Sequence, residues 1–143
     1  MKQKLNCILL IDDDEPTNFL TQIFLEEYGC CNHIRAVQSG KEALEYLTKS
    51  AEGSDPYEYP SPDLIFLDIN MPAMNGWEFL DNYTKMNIGH DHKTIVVMLT
   101  TSLFPEDKIK AGQRKEVAGF EHKPLTIENV DRILKKHFAS YVE

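Results

Sequence analysis

The sequence lacks any hydrophobic stretch of bilayer length. Its longest apolar runs are Cys7–Ile11 and Ile95–Leu99, against the roughly 20 residues a membrane helix needs. The opening Met1-Lys2-Gln3-Lys4-Leu5-Asn6-Cys7 offers no adequate signal-peptide core before charge resumes at Asp12. Cysteine is scarce: Cys7, Cys30 and Cys31 are an odd set of 3 with no CxxC spacing, so no disulfide framework is expected. Cys30-Cys31-Asn32-His33 holds soft ligands, but no second cluster completes a tetrahedral metal site. Reduced structural cysteines are the simpler reading and go with a cytoplasmic location. Positive charge is also short, with Lys plus Arg at 15 against Asp plus Glu at 23, a net charge of −8. Such a chain repels phosphate backbones and anionic lipid, so neither a nucleic-acid nor a membrane partner is expected. There is no internal repeat, no low-complexity segment and no sign of a second-domain boundary. At 143 residues and 42% hydrophobic, the chain has the length and apolar content for one well-filled core.

Short apolar runs alternate with helix-period segments. Cys7–Ile11 reads as a strand buried on both faces. Pro16 then opens a helix that carries Phe19, Leu20, Ile23 and Phe24 as its core face and ends at Gly29. A second strand fits His33–Val37, and Ser39-Gly40-Lys41-Glu42 is a capping-box pattern ahead of Ala43, Leu44 and Leu47. Leu64–Leu67 is the third strand, followed by a helix with Trp77, Leu80 and Tyr83 at helical spacing. Thr94–Leu99 is the fourth strand, and a polar helix runs from Pro105 to about Gln113. A brief fifth strand spans Gly119–His122. The last helix starts near Thr126, buries Ile127, Val130, Ile133 or Leu134, and Phe138, and closes on Lys135-Lys136-His137. Repeated strand–helix units imply a doubly wound α/β fold, a five-stranded parallel sheet with helices on both faces. The stretch Ser50–Pro62 holds three prolines and no period; it reads as an irregular loop insertion on the side away from the strand C-termini.

In open α/β sheets ligands bind beyond the carboxyl ends of the strands. Those positions hold Asp12-Asp13-Asp14, Asp68, Thr100-Thr101-Ser102 and Lys123. Crowded carboxylates repel one another unless a cation sits among them. An oxygen-only set suits Mg²⁺ completed by a phosphate. Lys123 and Thr100 can hold phosphoryl oxygens, and one carboxylate is left as a nucleophile. The spacing therefore points to Mg²⁺-assisted phosphoryl transfer to an aspartate.

Four motifs carry a specific likeness: Leu10-Ile11-Asp12-Asp13, Leu67-Asp68-Ile69-Asn70-Met71-Pro72-Ala73-Met74-Asn75-Gly76, Leu99-Thr100-Thr101, and His122-Lys123-Pro124. From about Leu5 to Phe138 the chain resembles the response-regulator receiver domains of two-component signalling, of the chemotaxis-regulator type. The resemblance implies the flavodoxin-like strand order 2-1-3-4-5 and a phosphoryl group accepted on Asp68. It implies Mg²⁺ held by Asp13, by Asp12 through water, by Asp68 and by the Asn70 main-chain carbonyl. Thr100 and Lys123 would hold phosphoryl oxygens, and a cis peptide would join Lys123 to Pro124. Thr100 and Phe120 would form the switch, read by a target protein on the face of helix four, strand five and helix five. Phe120 stands where the family often has Tyr, so packing alone must hold it inward; Thr101 stands where Ala is frequent. The implied partners are a histidine kinase or histidine phosphotransfer protein as donor and a downstream target protein. With only five residues after Phe138, no fused output domain is expected.

Three other readings compete. A relay intermediate would use the same residues. A haloacid-dehalogenase-type phosphohydrolase wants an acid/base Asp two positions after the nucleophile, where this chain has Asn70. A phosphorylation-independent scaffold has no use for crowded carboxylates. Outside the site, Asp14 reads as a helix-entry carboxylate and Trp77 as a core residue. His90-Asp91-His92 has metal-like composition but no third ligand in view, and His122 carries no assignment.

Overall fold

The computed structural model describes residues 3–86 and 93–141; His90-Asp91-His92 lies outside them. The elements alternate throughout, as β1 (Leu5–Ile11), α1 (Glu15–Tyr28), β2 (Cys31–Val37), α2 (Gly40–Ala51), β3 (Leu64–Leu67), α3 (Gly76–Met86), β4 (Ile95–Thr100), α4 (Pro105–Gln113), β5 (Val117–His122) and α5 (Ile127–His137). A 3-10 turn at Ala139–Tyr141 closes the described chain. The five strands form one parallel sheet in the order β2-β1-β3-β4-β5. Among the described residues no helix is long and apolar enough to cross a membrane.

The central strands are near-continuous apolar runs because both faces of a parallel sheet are covered. Ile8, Leu10, Leu64, Phe66, Val97 and Leu99 face one core with Leu25 of α1 and Val130, Ile133 and Leu134 of α5. Leu9, Ile11, Ile65, Leu67, Val96 and Met98 face the other, against α2, α3 and Ala111 of α4. Full burial of each such side chain contributes about 1.5–3 kcal/mol, so the two cores fix which way each strand turns.

Local chemistry sets the helix ends. Asp14 caps α1 by accepting from Thr17 N at 3.2 Å, and Gly29 closes it in the left-handed region at φ 76°. Ser39 caps α2 through Glu42 N at 3.1 Å, while the Glu42 carboxylate reaches Gln38 N rather than Ser39 N. Asn75 and Glu78 cap α3 reciprocally at 2.9 and 3.1 Å, and Thr126 and Asn129 do the same for α5.

Several expectations need correction. Phe19, Leu20 and Ile23 do not face the core; they are 62%, 66% and 37% exposed, and the buried residues of α1 are Asn18 and Leu25. Ile127 is likewise 55% exposed, because Thr126 caps the helix and leaves its first residue outside the stripe. β2 begins at Cys31 and β5 at Val117, each two residues earlier than expected. β4 is shifted one residue, to Ile95–Thr100, so Thr100 is a strand residue. Helix α2 continues to Ala51, so the irregular loop starts at Glu52. Its far end meets the start of β1, where Asn6 donates to Asp63 Oδ2 at 2.7 Å and to Ser61 O at 2.8 Å. Arg35 of β2 holds its middle through Tyr57 O at 2.9 Å.

One irregularity positions the site. Val96 pairs with Val117 but Val97 pairs with Gly119, so β5 carries an extra residue at Ala118. The bulge changes the phase of the strand. Phe120 then pairs with Met98 and His122 with Thr100, and Phe120 joins the same core as Met98.

The loop from β3 to α3 is tightly folded. Met74 N donates to Pro72 O at 2.7 Å across Ala73, whose φ is +66°, a γ-turn. Gly76 follows, and a Cβ there would stand 2.6 Å from the Asp68 carbonyl oxygen and 3.0 Å from Ile69 Cα. Gly76→Ala is therefore expected to destabilise the fold by about 1–3 kcal/mol, the range for overpacking. Urea unfolding would check it; a change within about 0.5 kcal/mol would show that the α3 terminus gives way freely.

Candidate functional site

Strand order reverses between β1 and β3, and the crevice at that point opens beyond their carboxyl ends. β1 runs out into Asp12 and Asp13, and β3 into Asp68. Carboxylate oxygens of Asp12, Asp13 and Asp68 lie within 4.8 Å of one another. Asp12 and Asp68 are buried and Asp13 is exposed, so the cluster is open on one side. Asp68 N donates to Ile11 O at 2.9 Å, tying the two strand ends together.

Lys123 is the cation of the site. Its Nζ pairs with Asp12 Oδ2 and lies 3.7 Å from Asp68 Oδ1. It follows β5, its own N–H donates to Thr100 O at 2.9 Å, and its peptide with Pro124 is cis. Thr100 is fully buried, and its Oγ1 accepts from Ser102 N at 3.1 Å, which leaves its hydroxyl proton for another acceptor. Asn70 is exposed, two positions beyond Asp68 in the β3–α3 loop. Asp14 is the cap of α1 and Trp77 is buried at the start of α3.

Burial pushes the Asp68 carboxyl above its ordinary value; Lys123 pulls it partly back, and the Asp12 and Asp13 charges push it up again. One lysine thus faces three carboxylates. A hard divalent cation would relieve that excess, and an all-oxygen donor set fits one.

Phe120 is half-buried and meets the His122 ring edge-on at 5.5 Å. It is not directly opposite Thr100: the strand register puts His122 there and Phe120 two pairs back, on the same face. Phe120 is therefore a diagonal neighbour of Thr100, within reach of an aromatic ring. Beside it lies a cavity of about 220 Å³ between α4 and β5, lined by Lys108, Ala111, Gly112 and Gly119. Thr101 is exposed while Ser102 is buried.

Sequence reasoning placed Ser102 at the mouth without a role and passed over Asn18. Ser102 Oγ donates to Asp107 Oδ2 at 2.5 Å and accepts from Phe104 N at 3.3 Å, fastening the end of β4 to α4. Asn18 is buried against the β1–α1 turn. The signal for Asn18 was a polar residue one step ahead of the apolar Phe19-Leu20 pair in an otherwise regular helix.

The family model for the response regulator receiver domain matches residues 8–135. The chain belongs to this family. Receivers are signalling domains that act as phosphorylation-dependent switches, not classical enzymes. A two-component response regulator from Cytophaga hutchinsonii superposes with a TM-score of 0.84 at 32% identity, covering 96% of this chain and 99% of that one. A probable cyclic di-GMP phosphodiesterase of Vibrio cholerae is 36% identical over 129 residues, 89% of this chain and 25% of that protein. The two-component response regulator ORR1 of Oryza sativa subsp. indica is 28% identical over 90% of this chain. This receiver spans about a quarter of the Vibrio protein's length and 53% of the rice regulator's. The response regulator Rcp1, solved in an Mn²⁺-bound form, superposes with a TM-score of 0.67 at 26% identity, covering 96% of this chain and 97% of that one. Like the receiver family, this chain has an acidic pocket suited to a divalent metal.

The raised Asp68 carboxyl has a consequence for stability. The folded receiver holds that proton more tightly than the unfolded chain does. Stability from this group is thus full at low pH and falls as pH rises from the ordinary carboxylate value through the raised one. Asp68→Asn removes the ionisation and should melt higher than wild type at neutral pH without divalent cations. The gap should close as pH falls toward about 4. Calorimetric melts across that range would check it, and equal melting temperatures at neutral pH would contradict the assignment.

Proposed function

We propose that this receiver takes a phosphoryl group onto Asp68 from a phosphohistidine on a histidine kinase or histidine phosphotransfer protein. Asp12, Asp13, Asp68 and the Asn70 main-chain carbonyl would hold Mg²⁺, which when bound neutralises charge on the phosphoryl oxygens. The observation that carries the reading is three carboxylates within 4.8 Å answered, among the described residues, by Lys123. A carboxylate oxygen of Asp68 attacks phosphorus, and the O–P bond forms as the P–N bond breaks. The electron pair passes to the imidazole nitrogen. Lys123 moves its charge from Asp12 toward the new phosphoryl oxygens, and Thr100 donates its hydroxyl proton to one of them. The receiver thereby assists its own phosphorylation. Asn70 argues against the phosphohydrolase reading, since it cannot serve as the acid/base. Relay and output roles share this chemistry. A cytoplasmic setting goes with free thiols at the buried Cys7 and Cys30.

Mass spectrometry after treatment with a small acyl phosphate and Mg²⁺ tests the reading. Wild type should gain one phosphoryl group and Asp68→Ala none; equal gain in the variant overturns the assignment of Asp68.

The face of α4, β5 and α5 is the proposed output surface for a downstream target protein. When Thr100 turns to the phosphoryl oxygen it vacates space, and Phe120 can move deeper. Phe120 is already half-buried, so the gain is about 1 kcal/mol, roughly half the value for burying a whole exposed ring. That shifts a two-state population about fivefold. Exposed Leu103, Phe104 and Ile109 lie where such a shift would be felt. Phe120→Ala should keep Asp68 phosphorylation within about twofold while beryllofluoride-induced NMR shifts in α4 and α5 shrink toward zero. Undiminished shifts would remove Phe120 from the switch.

A further inference from the structure

Asn18 is 5% exposed, the buried polar residue of a helix whose other buried side chain is Leu25. Its Nδ2 donates to the main-chain carbonyl of Asp12 at 2.9 Å and reaches that of Val37 at 3.4 Å. The Val37 carbonyl also accepts from Asp12 N at 3.2 Å. One carboxamide therefore joins the exit of β1, the end of β2 and the first turn of α1. The Asp12 side chain is fixed from the other direction, by Lys123 at Oδ2 and by Asp14 N at 3.0 Å on Oδ1.

Resting on the reading of the site as a divalent-cation centre, we infer that Asn18 is a positioning residue for the cation. It touches neither the ion nor the phosphoryl group. The carboxylates of Asp12, Asp13 and Asp68 repel one another, and the β1–α1 turn that carries two of them is the segment free to give way. The Asn18 N–H groups hold that turn by its backbone, with the carboxylates at the separation one ion requires. Asn18 also lines, with Asp12 and Asp68, a void of about 10 Å³, at the lower limit for one water. Truncation at Asn18 enlarges this space enough for water to replace the lost donor. A leucine fills it and denies the carbonyls any donor.

Partners behind the ligand shell change metal affinity by about 10–100-fold when removed. The test uses Mn²⁺ as probe, free ion being counted by its EPR signal, at a temperature well below every variant's melt. Asn18→Leu should weaken Mn²⁺ binding about tenfold or more, and Asn18→Ala by less. Raising Mg²⁺ should restore the rate of Asp68 phosphorylation in both. Leu25→Ala, buried on the same helix, should lower the melting temperature yet leave Mn²⁺ affinity unchanged. If either Asn18 variant fails to fold, the other carries the comparison, and Asn18→Ser serves if both fail. Unchanged affinity in the Asn18 variants overturns the inference while leaving the metal reading intact, as does equal weakening by Leu25→Ala. A wild-type chain that binds no Mn²⁺ overturns both together.

Discussion

Three carboxylates held within 4.8 Å of one another are the constraint to which the surrounding structure answers. Left to themselves they would move apart or take up protons. Asp68 is held by a carbonyl-to-amide link with Ile11 beneath it and by the start of α3 behind it, where Gly76 lets the helix backbone close on the Asp68 carbonyl. Asp12 is anchored through its backbone and through both carboxylate oxygens. Asp13 alone of the three is exposed. On the proposed reading of the site, the mutual repulsion of these carboxylates is what a cation and an incoming phosphoryl group would relieve.

The groups of the site do not act from independent supports. Thr100 and Lys123 come from adjacent strands, and the hydrogen bond from Lys123 N to Thr100 O makes them a single unit. Thr100 also receives Ser102 N, and Ser102 is fastened to Asp107 in α4. The proposed displacement of Thr100 would therefore have two routes, along β5 through Lys123 and into α4 through Ser102. The exposed apolar residues Leu103, Phe104 and Ile109 follow that second connection.

Much of this was legible in the sequence because parallel strands covered on both faces are continuous apolar runs. Cys7–Ile11, Leu64–Leu67 and Ile95–Leu99 needed no finer signal, and Asp12, Asp68 and Thr100 directly follow such runs, whereas Lys123 stood out through the His122-Lys123-Pro124 motif. Pro16, Gly29 and Thr126 marked helix ends through their backbone chemistry. Orientation was harder. Phe19, Leu20, Ile23 and Phe24 are spaced as a helical stripe, but spacing does not say which side meets the sheet; of these four Phe24 makes the contact, together with Leu25 and Tyr28. Asn18 and Ser102 are short polar residues whose value lies in backbone partners distant in sequence. No local pattern announces those. The register of β5 was equally hidden, since a bulge leaves no mark in a strand of Val117-Ala118-Gly119-Phe120 composition.

That bulge makes the pairing of β5, more than its composition, the quantity under constraint. Were the bulge flattened with Ala118 drawn into the ladder, every side chain would stay chemically intact yet Ala118 would pair with Val97, and Phe120 and Glu121 would exchange faces relative to Val117. Glu121 would leave its partners Arg132 and Asn129 on α5 and stand beside Thr100 as one more negative charge at an already crowded mouth. Removal of Ala118 itself would instead keep Phe120 opposite Met98 and Glu121 opposite Leu99, so the register tolerates that deletion and not a flattened bulge.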